Sequence, residues 1–168
     1  EQLSPVAMPS EIRSVAEEIA QDRPFPRPVQ EALVTLLRTT DEVRRLLSSF
    51  VEPQGVTLQQ YNVLRILRGA GSGGLPTLEI GRRMLERQPG VTRLVDRLVA
   101  KELVRRARDS EDRRQVMCSI RPEGLTLLSS LDEELEGVGH ILSGGLGESE
   151  IRGLTDLLNR LRASIPQR

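Results

Sequence analysis

The sequence predicts a mainly α-helical protein with one small β wing, and three observations lead there. Apolar residues make up 38% of the chain, yet only three of its 168 residues are aromatic. The core must therefore be built from Leu, Val, Ile and Ala, which suits packed helices. Apolar positions recur at three- and four-residue spacing over most of the chain. The exception is a short stretch in which two β-like runs, 103–106 and 115–120, enclose an Arg/Asp-rich tip, Arg108-Asp109-Ser110-Glu111-Asp112-Arg113-Arg114.

Taken in order, residues 1–28 form an N-terminal extension. Ser10 to Gln21 fit one extra helix, with Ile12, Val15, Ala16 and Ile19 on one face, and Pro24, Pro26 and Pro28 stop it. From 29 to 51 the apolar positions are 29, 33, 36, 43, 47 and 50, a long helix with a narrow seam of the kind that packs on partner helices. We take 29–56 as a dimerisation segment. Thr57 is the expected N-cap of a helix over 58–68 that buries Tyr61, Leu64 and Leu67. The piece Gly69-Ala70-Gly71-Ser72-Gly73-Gly74 matches G-x-G-x-x-G formally. A helical pattern precedes it and no βαβ unit follows, so it reads as a flexible inter-helix loop, not a dinucleotide site.

A short helix over 77–85, a turn at Gln88-Pro89-Gly90 and a second helix over 91–99 come next, then the charged hairpin. That is the layout of a winged helix-turn-helix over 57–121, which places its second helix in the DNA major groove and its wing against the minor groove. Pro122 suits the first turn of a helix over 122–142, with apolar positions 125, 128, 131, 135, 138 and 142. Gly144, Gly145 and Gly147 break it, and a last helix over 148–163 carries Ile151, Leu154, Leu158 and Leu161. Residues 122–168 are thus a second dimerisation region. The helices at the chain ends have more apolar stripe than the module can cover, which a homodimer would bury.

The net charge is zero, but its distribution is uneven. Residues 1–81 carry eight basic and ten acidic side chains, net −2; residues 82–114 carry eleven and six, net +5; residues 115–168 carry five and eight, net −3. Positive charge is concentrated where the module would meet phosphates. The competing reading is a solvated helix face. All basic residues but Lys101 are Arg, which suits bidentate contact to guanine or phosphate.

Three runs carry a family resemblance: 91–98 (Val-Thr-Arg-Leu-Val-Asp-Arg-Leu), 103–106 (Leu-Val-Arg-Arg) and Asp112-Arg113-Arg114. Together they resemble the MarR family of bacterial transcriptional regulators, over roughly residues 29–163. The resemblance implies that Arg114 is the minor-groove arginine and that Asp112 holds the wing in shape. It also implies a homodimer on a pseudo-palindromic operator, a repressor relieved by a small-molecule effector or an oxidant. The chain departs from the pattern at three places. Glu102 stands where the family has Gly, which carries strain if that position is left-handed. Pro122 partly replaces a Thr cap. The turn before the second helix is Gln88-Pro89-Gly90 rather than Ser-rich, so base specificity does not transfer from relatives.

Pro89 suits a first helical position, with Gln88 as N-cap. Gln88, Gly90, Thr92, Arg93 and Arg97 are the candidate DNA contacts of the second helix, and Arg113 and Arg114 those of the wing. Arg93 and Arg97 share a face, while Leu94, Val95 and Leu98 face the core. The alternatives are that Arg97 pairs with an acid such as Asp96, and that Thr92 meets phosphate rather than base. Cys118 shares a strand face with Val116 and Ile120, which reads as buried; a redox-sensing cysteine would need an exposed electropositive niche. His140 is the only histidine, late in a helix; it reads as structural or solvent-facing, with ligand-pocket lining as the alternative. The acidic run 132–136 reads as a solvated face. No catalytic constellation, metal site or cofactor is expected, which excludes most enzyme classes. A protein-interaction adaptor on the same scaffold is the non-DNA alternative. The lone cysteine, the lack of a charge-free run longer than twelve residues and the lack of a leader pattern point to the cytoplasm and away from a membrane.

Overall fold

The computed structural model describes residues 13–86, 89–108, 115–143 and 145–166. Among them the chain runs α1 (Val15–Glu18), α2 (Pro28–Val51), α3 (Leu58–Ala70), β1 (Leu75–Pro76), α4 (Thr77–Arg83), α5 (Val91–Ala100), β2 (Val104–Arg108), β3 (Val116–Ile120), α6 (Pro122–Ser143) and α7 (Glu148–Ala163). The three strands form one antiparallel sheet in the order β1-β3-β2. The fold class read from the sequence is the one observed. The chain divides into two compact units, one ending at Leu135 and the other beginning at Glu136.

Most boundaries follow from local chemistry. Thr57 Oγ1 accepts from the Gln60 N–H at 3.2 Å, and Gln60 Oε1 accepts from the Thr57 N–H at 3.1 Å, a reciprocal cap that starts α3. Pro28 opens α2 and Pro122 opens α6, where the missing N–H costs nothing. The helix expected over 10–21 is shorter than expected within the described residues. It covers Val15–Glu18, and Ala20 turns left-handed at φ 52°. The glycine-rich piece is not a loose loop. Gly69 and Ala70 complete α3, Gly71–Gly73 make one 3₁₀ turn, and the chain enters β1. Gly74 has φ +66°, and a Cβ there would lie 2.3 Å from the Cys118 carbonyl oxygen. The glycine lets β1 close onto β3, and a two-residue strand containing Pro76 leaves no periodic signal in sequence.

The core of the first unit is aliphatic. Val51, Val63, Leu64, Leu67, Ile80, Val95, Leu98, Leu128, Leu131 and Cys118 are all fully buried, with Tyr61 as the aromatic member. Arg68 ties α3 to α6 through Asp132, and this bond holds the Asp132 carboxyl below the usual carboxylate range. Val116 departs from expectation: it is 46% exposed although it alternates with buried Cys118, because β3 runs past the core toward the hairpin end. The exposed stripes of the chain-end helices keep most of the expected positions and differ at one in each helix. On α2 the exposed apolar residues are Val29, Leu33 and Leu37, with Leu36 half-buried. On α7 they are Ile151, Leu154, Leu157 and Leu161, with Leu158 half-buried.

After α5, the Leu103 N–H reaches the Leu98 carbonyl at 3.0 Å and the Glu102 N–H reaches Val99 at 2.9 Å, the paired bonds of a Schellman turn. Glu102 occupies its left-handed position at φ 59°. An L-residue there costs roughly 1–2 kcal/mol, and glycine gives back roughly 0.5–1 through chain entropy. The Glu102–Arg121 ion pair, 3.7 Å long with Glu102 76% exposed, contributes little against this. Glu102→Gly should therefore stabilise the protein by about 0.5–1 kcal/mol. Gly74→Ala should destabilise it by about 2 kcal/mol or more. Urea or thermal unfolding of the two variants beside wild type checks both signs.

Candidate nucleic-acid interface

The site is built on α5 and the groove beside it. Val95 and Leu98 are fully buried and Leu94 is half-buried, as their spacing predicts. The 3.6-residue period then turns Thr92, Arg93, Asp96, Arg97 and Ala100 outward, and all five are exposed. Two residues between α4 and α5 differ from expectation. Gly90, not Gln88, is the N-cap of α5, with φ 100°, and Pro89 lies in the turn before it instead of at the first helical position. A left-handed residue ends the turn, and glycine takes that conformation at no steric cost. Gln88 itself lies outside the described residues. Gly90 has no side chain to cap the helix and its carbonyl takes the Arg93 N–H at 2.9 Å, so the Val91 and Thr92 amides at the start of α5 have no side-chain cap. They open onto a groove of about 930 Å³ between α4 and α5, walled by Thr77, Leu78 and Arg82 on one side and Pro89, Gly90 and Thr92 on the other.

Several cations of the basic segment are already engaged. Arg83 bonds Glu79 at 2.8 Å and Arg82 lies 3.6 Å from it; chiefly the Arg83 bond holds the Glu79 carboxyl below its ordinary range. Lys101 donates to the Gly55 carbonyl and lies 3.5 Å from Gln60 Oε1, so it clasps the end of α5 to the α2–α3 turn. Arg105 donates to Ser119 Oγ at 2.9 Å across the hairpin. Arg106 pairs with Asp96, so the proposed Asp96–Arg97 pairing does not form. Burial works against the Arg106 charge, and bonds to Cys118 and Asp96 more than offset it, so its pKa is held above the ordinary arginine value. Among the described residues, Arg93, Arg97 and Arg108 have no acidic partner. Arg108, at the outer end of β2, is a candidate that sequence reasoning missed. The signal was available in the alternation of β2, which puts Val104, Arg106 and Arg108 on one face.

The wing residues Asp112, Arg113 and Arg114 lie outside the described residues, and the hairpin is seen as β2 paired with β3 from Val104↔Ile120 to Arg108↔Val116. Cys118 is fully buried, 3.6 Å from Thr77 Oγ1. His140 lies in α6, and its side chain is likewise outside the description. Among the described residues there is no group of three or more His, Cys, Asp or Glu placed to hold a metal ion, and no helix is long and apolar enough to cross a membrane.

The family model described as MarR family matches residues 54–115, from the α2–α3 turn to the residue before β3. A solved MarR transcription factor from Planctomyces limnophilus is 34% identical, covers 81% of this chain and 98% of its own, and superposes with a TM-score of 0.62. Two further structures share the fold at lower identity. The MepR–DNA complex of Staphylococcus aureus has 21% identity and a TM-score of 0.70 over 79% of this chain and 95% of that one. CouR from Rhodococcus jostii RHA1 bound to p-coumaroyl-CoA has 19% identity and a TM-score of 0.70 over 86% and 100%. With a helix-turn-helix, a β wing and a relative of this identity aligned over nearly its whole length, the chain belongs to the MarR family of winged helix-turn-helix transcriptional regulators.

Proposed function

We propose that this regulator binds a pseudo-palindromic operator as a homodimer, represses transcription from it, and is released by a small-molecule effector. The observation that carries the reading is the outward face of α5, where Arg93 and Arg97 stand four residues apart without an acidic partner above a buried apolar stripe. A bare, exposed helix N-terminus at Gly90 adds a place for a phosphate beside that face. MepR, which shares the fold, was solved on DNA, and CouR was solved with an acyl-CoA; these support the DNA and effector parts respectively. In this reading Thr92, Arg93 and Arg97 meet the major groove. Gln88, Gly90 and Arg108 flank it. The wing carries Arg113 and Arg114 to the adjacent minor groove, with Asp112 bracing the tip.

The dimer part is supported by what the chain-end helices leave uncovered. Leu37 is 70% exposed on α2 and Leu157 is 61% exposed on α7, each within an apolar stripe of its own helix. A permanent interface over such stripes would bury on the order of 2,000 Å² or more. Leu37→Glu with Leu157→Glu should shift sedimentation at micromolar concentration from dimer to monomer. A wild type that sediments as a monomer removes both the dimer and the palindrome.

Two-fold symmetry would set the reading helices about 34 Å apart, so footprinting should protect an inverted repeat with half-site centres about 10 base pairs apart. Arg93→Ala should cost about 1–3 kcal/mol and relax preference at one base position if it reads a base. Equal weakening on every sequence would make it a phosphate contact instead. Arg114→Ala should weaken operator binding and lower the salt slope by about 0.9 per lost phosphate contact, with melting unchanged. Unchanged affinity with a lower melting temperature would make Arg114 a structural ion-pair residue.

A further inference from the structure

The contacts of Arg106 set it apart from the other arginines of the module. It lies in β2 opposite Cys118, on the strand face it shares with Val104, and that face looks toward α5. One guanidinium nitrogen pairs with the Asp96 carboxylate. The other donates to the Thr92 carbonyl at 3.4 Å. Thr92 and Asp96 are one helical turn apart, so a single planar fork grips α5 at two levels. The side chain is only 30% exposed. Asp96 sits between Arg93 and Arg97 on the exposed face, so the grip falls on the stretch of α5 that carries both arginines.

We propose that Arg106 is a positioning residue for operator reading: it fixes the rotation and depth of α5 against the wing strand, without itself touching DNA. The proposal rests on the assignment of the outward α5 face to DNA. Base contacts demand placement to within about half an ångström. Phosphate contacts supply most of the non-specific affinity and its salt dependence. A residue that only aims α5 should therefore alter selectivity and leave the salt dependence alone.

The test begins with an operator selected from random duplex DNA by the wild-type protein. Affinity for that operator and for a scrambled duplex is then measured across a salt series for wild type, Arg106→Ala, Asp96→Ala and the double variant. Arg106→Ala should lower the operator-to-scrambled affinity ratio about tenfold, with the slope of affinity against salt unchanged. Asp96→Ala should lower the ratio similarly, and the double variant should lose no more than either alone, because both remove one linkage. If the alanine variant does not fold, Arg106→Lys serves instead. It keeps the charge but lacks the fork, and should lower the ratio at constant slope. A slope smaller by about 0.9 with the ratio unchanged would make Arg106 a phosphate contact and overturn the proposal. An unchanged ratio and slope with lowered melting would leave a plain structural ion pair, which also overturns it. A wild type that selects no sequence fails earlier, at the DNA reading itself, and takes the proposal with it.

Discussion

The seating of α5 in the aliphatic core is the constraint on which the rest of the molecule depends. Val95 and Leu98 have no exposed surface, and each buried aliphatic side chain of this size contributes roughly 1.5–3 kcal/mol. Once those two positions point inward, helical geometry leaves Arg93 and Arg97 no choice but solvent. The charged face is thus a by-product of packing, not a separately stabilised feature. The same seating dictates how the chain leaves the helix. The Schellman turn at Glu102 sends Leu103 and Val104 straight back into the core, and from there β2 passes alongside α5. The strained residue is held in place because the two residues after it are buried and Lys101 before it is clasped to the Gly55 carbonyl.

Much of this was legible in the residues. The period of the apolar positions located every long helix, the bounds of α7 were read as observed, and Thr57 and Pro122 marked helix starts through their own chemistry. Comparing Glu102 with a family glycine marked it as a place for strain if left-handed, and its φ of 59° meets that condition. What escaped was of a different physical kind. β1 is two residues long and exists only because Gly74 permits a close approach to Cys118. The partner of Asp96 is set by the register of β2 on β3, which brings Arg106 from ten residues away and outcompetes the adjacent Arg97. The choice between Leu36 and Leu37 on α2, and between Leu157 and Leu158 on α7, depends on which side of each helix packing leaves open, and each pair offers two nearly equal solutions.

The distribution of charge also has an economy to it. The basic segment carries eleven cations, yet Arg82, Arg83, Lys101, Arg105 and Arg106 each have a protein partner. Those bonds hold elements together: α4 internally, α5 to the α2–α3 turn, β2 to β3, and β2 to α5. Among the described cations of that segment, three remain for an external anion: Arg93 and Arg97 on the outward face of α5 and Arg108 at the outer end of β2. A count of basic residues therefore overstates the charge available to a ligand, and the arrangement of the acids decides which arginines are left to act.

Lys101 is the only lysine in the chain, and it stands between α5 and β2. Its ammonium is clasped to the Gly55 carbonyl, and the peptide bond that follows lies inside the tight turn made by Glu102 and Leu103. A lysine-directed protease consequently has one cleavage site, and cutting there separates the reading helix from the wing. The site opens only when the clasp and the turn let go together. Digestion kinetics at this single bond therefore report how often the end of the reading helix detaches from its scaffold, with no label introduced.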